Sequence, residues 1–283
     1  GSLVIDSECF GISAEADGDI DLTFGGDISL TFTSGSSQPI YVDGSTANVT
    51  VEDNAKLFLG TAECPLTSNG IQVQSDAFAT LTITDNALVE AVAGEDNVKA
   101  LCMDYDNGNL IVSGNATVNS NGGGGVVSEN VTISGGKVSI TVEDYMVCLD
   151  AKNLTVTGGD VELISDIESI SLVAVETVIS GGSVVAKSDY AGIISDKLTV
   201  SGGSITASGG TYGISTDAGC NITGGRVTVL DGGLFSMISE GVEGDAVTLG
   251  ESMQILQPQG AVIGEIDNGS DGYYGVLDED GEY

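Results

Sequence analysis

One phrase recurs along this chain: apolar, Thr, apolar, Ser or Thr, Gly-Gly, any residue, apolar. It reads Val131-Thr132-Ile133-Ser134-Gly135-Gly136-Lys137-Val138 and returns over Leu154–Val161, Val178–Val184, Leu198–Ile205 and Asn221–Val227. The first glycines fall at 135, 158, 181, 202 and 224, so the steps are 23, 23, 21 and 22 residues. Weaker copies run backwards around Gly114, Asp85-Asn86, Asp53-Asn54 and Gly25-Gly26, at steps of 21, 29, 32 and 28, and a degenerate copy covers Val247 to Leu256. A fixed step marks one supersecondary unit stacked on itself.

Within each copy the side chains alternate. Leu154 and Val156 point one way, Thr155 and Thr157 the other, which is the period of a half-buried strand. Gly-Gly and Asp-Asn pairs are turn formers that tolerate positive φ. No segment carries a helical period, and the three prolines suit long hydrogen-bonded ladders. A coil of about 22 residues holds three short strands and three bends, and it buries its apolar side only against neighbouring coils. The expected fold is all-β: a right-handed, single-stranded parallel β-helix of about 9–10 coils, its hand taken from the default for parallel crossovers. A β-sandwich also has many short strands, but hairpins need no fixed phrase at a fixed step. The solenoid is expected over 1–250. Residues 251–283, polar and turn-rich around Asp267-Asn268-Gly269-Ser270-Asp271-Gly272, are expected to form a C-terminal cap or an extension of the same domain. Leu3 to Phe10 is expected to cover the other end.

Charge narrows the partners. Among 283 residues, 42 are acidic and 7 basic, for a net charge of −35. Such a surface repels phosphate backbones, so nucleic acid is not an expected partner. No apolar run is long enough for a membrane-spanning helix, so no membrane insertion is expected. Cys9, Cys64, Cys102, Cys148 and Cys220 form no CxxC and read as free thiols, several in apolar strands. Histidine is absent and Arg226 is the only arginine. Histidine-based nucleophilic mechanisms are therefore excluded, and no carboxylate pair stands out for glycoside hydrolysis. The expectation is a protein that is not an enzyme.

Crowded carboxylates favour divalent cations, above all Ca²⁺, which takes oxygen ligands. An acid recurs before the first strand of the phrase, at Glu129, Asp150, Glu176, Asp196 and Asp217. Stacked coil on coil, these acids would lie about 5 Å apart; they either hold a row of bridging ions or splay into water. The loops carrying Asp104, Asp106 and Asn107, and Asp267 and Asp271, alternate oxygen ligands with glycine, as a loop around a hard cation does; plain turn chemistry gives the same pattern. Tyr145, Tyr190, Tyr212 and Phe235 recur in corresponding bends, as a strip for sugar rings or as a seal on the bends. Thr132/Ser134, Thr155/Thr157 and Thr199/Ser201 predict a flat hydroxyl face.

The coil Tyr212-Gly213-Ile214-Ser215-Thr216-Asp217, followed by Asn221 to Val229, resembles the repeat of a family of secreted carbohydrate-binding β-helix proteins. So does Tyr190-Ala191-Gly192-Ile193-Ile194-Ser195-Asp196 followed by Leu198 to Ile205. The family belongs to Gram-positive, mainly clostridial, bacteria within the pectin-lyase-like superfamily, and the resemblance covers roughly 126–230. It implies a right-handed β-helix, bound Ca²⁺ and binding of plant polysaccharide without cleavage. The chain departs from the family by carrying Tyr or other residues where Asp often precedes Gly-Ile. The resulting expectation is a non-catalytic, Ca²⁺-assisted carbohydrate-binding module, extracellular or on the bacterial surface. It would be a monomer within a larger surface protein and bind polysaccharide or a host or bacterial surface glycan. The alternative is a structural or adhesive stalk with no small ligand.

Overall fold

The computed structural model describes residues 1–7, 10–33, 38–94, 98–143, 146–237, 246–256, 259–266 and 273–280, with the side chains of 235–237 not described. Those residues hold strands and no helix. They wind into a parallel β-solenoid of about ten turns, roughly 45 Å long at the spacing of neighbouring strands. Each turn contributes one strand to each of three ladders. The first begins at Phe10–Glu15 and the second at Ile20–Phe24. The third begins at Ser2–Ile5, which pairs in parallel with Ser29–Phe32. The residues expected to cover the N-terminal end thus contribute the opening strands of the solenoid. Long segments such as Gly124–Val142 and Val147–Ser165 bend through all three ladders in one pass.

The inward half of the repeated phrase builds the core. In the second ladder one column runs Phe24, Val51, Ile83, Val112, Ile133, Val156, Ile179, Val200, Ile222 and Leu249 in register. Most members are fully buried, each contributing about 1.5–3 kcal/mol of hydrophobic stabilisation. The neighbouring column contains one polar residue. Thr177 sits between Leu154 and Leu198 and is buried. Its hydroxyl accepts a hydrogen bond from Ser195 Oγ at 3.0 Å, which offsets the cost of burying it.

The bend from the second to the third ladder exists in two forms. In the early coils four residues separate the strands, as in Thr84-Asp85-Asn86-Ala87 between Ile83 and Leu88. Asp53 and Asp85 take positive φ of 58° there, and Ala55, Ala87 and Ala116 point inward, buried. From Ser134 onward three residues suffice, Ser/Thr-Gly-Gly, with the second glycine at φ of 72–80°.

Beyond Val247–Leu249 the described strands change direction. Val262–Glu265 and Tyr273–Leu277 pair antiparallel, and the latter also pairs antiparallel with Leu234–Met237. Cys148 and Cys220 are buried, and burial pushes both thiols up to about 12. Cys64 is exposed rather than buried, Cys102 is half-buried, and all four are free. Cys9 lies outside the described residues.

Candidate functional site

The outward face of the first ladder carries the chemistry. One column runs Ser13, Tyr41, Gln72, Cys102, Val127, Asp150, Val173, Ile194 and Ser215 in register. Beside it, Glu15, Asp43 and Gln74 occupy successive coils. Alternation along each strand turns these side chains outward while Ile40, Ile71 and Leu101 face the core.

At the N-terminal end of this face, Phe10 and Tyr41 stack with ring centroids 5.3 Å apart and planes inclined by 29°. Phe10 is 44% exposed, although it belongs to a strand with a core side available. Amides and carboxylates surround the pair. The Tyr41 hydroxyl lies 3.1 Å from both Asp43 Oδ2 and Gln74 Oε1, a donor shared between two acceptors. Gln38 and Asn69 both donate to Gln72 Oε1, and Ser13 Oγ donates to Glu15 Oε1 at 3.0 Å. Burial, the Asp43 hydrogen bond and the charges of Asp43 and Glu15 together raise the Tyr41 phenol above its ordinary value. Sequence reasoning missed this cluster. Its members lie far apart along the chain, and Tyr41 sits inside a strand, whereas Tyr190 and Tyr212 recur at corresponding bends.

Further along the same face, Tyr105 links the expected metal ligand Asp150 to Lys152. Its hydroxyl donates to Asp150 Oδ1 at 3.4 Å, and Lys152 Nζ lies 5.2 Å from its ring centroid. Lys152 pairs with Asp106 at 2.8 Å and approaches Glu129 at 3.8 Å. That pairing holds the Asp106 carboxyl below its usual range. Burial raises Asp150, against the pull of Tyr105 and Lys99, and burial lowers Lys99.

These contacts divide the calcium expectation. Asp106 and Asp150 face ammonium groups, which repel a divalent cation, and their environment does not fit Ca²⁺. Asp104 and Asn107 do fit. Ser75 N–H donates to Asp104 Oδ2 at 3.2 Å, and Asn107 Nδ2 donates to Ser75 O at 3.0 Å. Around that turn the buried Ser75 Oγ and Asn107 Oδ1 have no hydrogen-bond partner. Two orphaned oxygens beside a carboxylate suit a hard cation. Among the described residues no group of three or more Cys, Asp or Glu converges as a metal cluster. Asp267 and Asp271 lie outside the described residues.

The expected acid column separates. Asp150 stands in register with Val127 and Val173, and Glu176 with Asn153 and Lys197. Lys197 Nζ lies 3.6 Å from Glu176. The unequal acid-to-glycine spacings place these residues at different strand positions. Only Glu129, Asp196 and Asp217, which follow Ser128, Ser195 and Thr216, share a column, and Lys152 and Val175 stand between Glu129 and Asp196. Among the described residues of the aromatic strip, Tyr190 and Tyr212 meet edge to face at 6.2 Å, with Tyr190 39% exposed. Tyr145 and the Phe235 side chain lie outside the described residues.

On the second ladder, Thr132, Thr155 and Thr199 share one outward column, interrupted by Val178. Asn109, Asn130 and Asn153 form an amide ladder, with Asn130 Nδ2 donating to Asn109 Oδ1 and Asn153 Nδ2 to Asn130 Oδ1. No family model, curated protein or solved structure matches the chain.

Proposed function

We propose that this chain is a non-catalytic carbohydrate-binding module acting outside the cell, with Ca²⁺ at the Asp104–Asn107 turn bracing the bend beside the binding face. The observation that carries this reading is the exposed Phe10–Tyr41 stack among Gln38, Gln72 and Gln74 on a rigid sheet face. Aromatic faces take the apolar side of a sugar ring, and fixed amides and carboxylates take its hydroxyls. The strands set these groups without a mobile loop, which lowers the ordering cost of binding. The resemblance of the coils at 190–205 and 212–229 to bacterial carbohydrate-binding β-helices supports the same reading, as does the absence of histidine from the chain.

The test is calorimetric titration with soluble polysaccharides in Ca²⁺ and in excess chelator, on the natural chain and on Tyr41→Ala. Binding that Tyr41→Ala weakens about tenfold or more is expected, since a buried aromatic contact contributes on this scale. Binding to none of the glycans, or equal binding by both proteins, overturns the reading. The second reading, a stalk without a ligand, draws on the even Thr and Asn columns of the second ladder.

A further inference from the structure

Resting on the carbohydrate reading, we infer that the Phe10–Tyr41 face selects glycans bearing free amines, polymers of glucosamine type, over neutral or uronic-acid glycans. Charge beside the ring faces sets this preference. Asp43 and Glu15 both flank Tyr41, one carboxylate on its own coil and the other on the coil before. Asp43 Oδ2 is engaged by Tyr41 and Glu15 Oε1 by Ser13, which fixes both carboxylates in place. Among the described residues, no hydrogen bond reaches their second oxygens. An ammonium group set against an aromatic face and between two anchored carboxylates gains from the ring quadrupole and from both charges. A uronate brought to the same place meets two like charges and the field of a chain with net charge −35.

The lysines do not reverse this pattern. Lys152 is committed to Asp106 and Glu129. Lys99 stands two coils from Tyr41 and three from Phe10, because Gln38 and Asn69 hold the positions between Phe10 and Lys99, separations of about 10 and 14 Å, at or beyond the screening length of physiological salt. The amides of Gln38, Gln72 and Gln74 remain for the sugar hydroxyls, so the face has both parts that an amino sugar requires.

The experiment titrates the full chain with three soluble oligosaccharides of equal length: fully deacetylated chito-oligosaccharide, cello-oligosaccharide and oligogalacturonate. It is run near pH 6, where the sugar amines carry charge, at low and at high NaCl. The expected result is tightest binding of the chito-oligosaccharide, weakened about tenfold by Asp43→Asn with Glu15→Gln and weakened again by salt. The same double variant should weaken cello-oligosaccharide binding distinctly less than chito-oligosaccharide binding, whereas Tyr41→Ala should weaken both alike, which separates loss of charge from loss of the platform. Equal or tighter binding of the cello- or galacturonate oligomer overturns the amine preference and leaves the carbohydrate reading standing. Chito-oligosaccharide binding that Tyr41→Ala leaves unchanged places the contact elsewhere on the acidic surface and overturns the inference. Binding of none of the three removes both.

Discussion

The early and late coils solve the same bend with different backbones. Before residue 134 the bend holds four residues, with an Asp or Gly at positive φ, and in the bends at 52–55, 84–87 and 113–116 an Asn and a buried Ala follow. There the side chains tie coil to coil. Asp53 Oδ2 accepts from Gly26 N–H at 2.8 Å and Asp85 Oδ2 from Asp53 N–H at 3.3 Å. Asn54, Asn86 and Asn115 donate in sequence to Asp27, Asn54 and Asn86. After residue 134 the bend has three residues, and glycine lies on glycine with no side chain between. The outward face of the first ladder changes nearby, from Tyr41 and Gln72 to Val127, Val173 and Ile194. Bends held by side chains accompany the polar, aromatic half; bends held by backbone contact accompany the aliphatic half.

The largest expected effect is at a late bend. A Cβ on Gly159 would sit 2.7 Å from the backbone of Gly135 and Gly136, at φ +80°. Strain in the left-handed region and collision with backbone both oppose it, so Gly159→Ala is expected to cost about 3 kcal/mol or more. Asp85→Gly in an early bend loses one hydrogen bond but relieves a positive φ, opposing effects of about 1 kcal/mol each. Urea unfolding of the two variants, read as midpoints at constant slope, checks the contrast. A loss below about 1 kcal/mol for Gly159→Ala would mean that the two bends are interchangeable.

This difference also explains what could be read from the sequence. The late coils repeat as Ser/Thr-Gly-Gly because close backbone contact admits little else, so their register was plain from the chain alone. The early copies around Asp53, Asp85 and Gly114 looked degenerate because each bend is one residue longer and its buried Ala resembles ordinary strand. The parallel solenoid was legible because the alternation of Leu154 and Val156 with Thr155 and Thr157 does not depend on bend length. The face holding Phe10 and Tyr41 was not, because its partners come from coils whose spacing varies. The acids spread over two or more columns for a related reason: a one-residue offset moves a side chain to another column, and Lys152 and Lys197 stand among them.

A smaller effect is expected where side chains bind the early coils. Asn86 both donates to Asn54 Oδ1 at 3.3 Å and accepts from Asn115 Nδ2 at 3.2 Å. Asn86→Ala removes both bonds at an exposed position, for an expected loss of about 1 kcal/mol. Hydrogen exchange should show the loss concentrated in the coils around residues 54–115, with the Gly-Gly coils beyond 134 unchanged. Equal loosening of both halves would show that the solenoid transmits the change along its whole length, and the division at residue 134 would then have no energetic meaning.

The smallest effect sharpens the boundary itself. Asp150 is the carboxylate set between Val127 and Val173, and burial pushes its pKa up, with Tyr105 and Lys99 pulling back. Because the folded value lies above the unfolded one, the folded chain holds this proton more tightly. The Asp150 contribution therefore favours folding at low pH and is lost as pH rises through the raised folded value. Asp150→Asn removes that dependence. Relative to the natural chain, the variant should gain stability between pH 3 and pH 7, read as the difference in unfolding midpoints, with most of the gain above the ordinary aspartate value of about 3.9. Subtracting the two proteins cancels the titration common to the other carboxylates. A relative loss over the same range would show that Tyr105 and Lys99 outweigh burial, and it would move Asp150 from the aliphatic half of the face into the polar one.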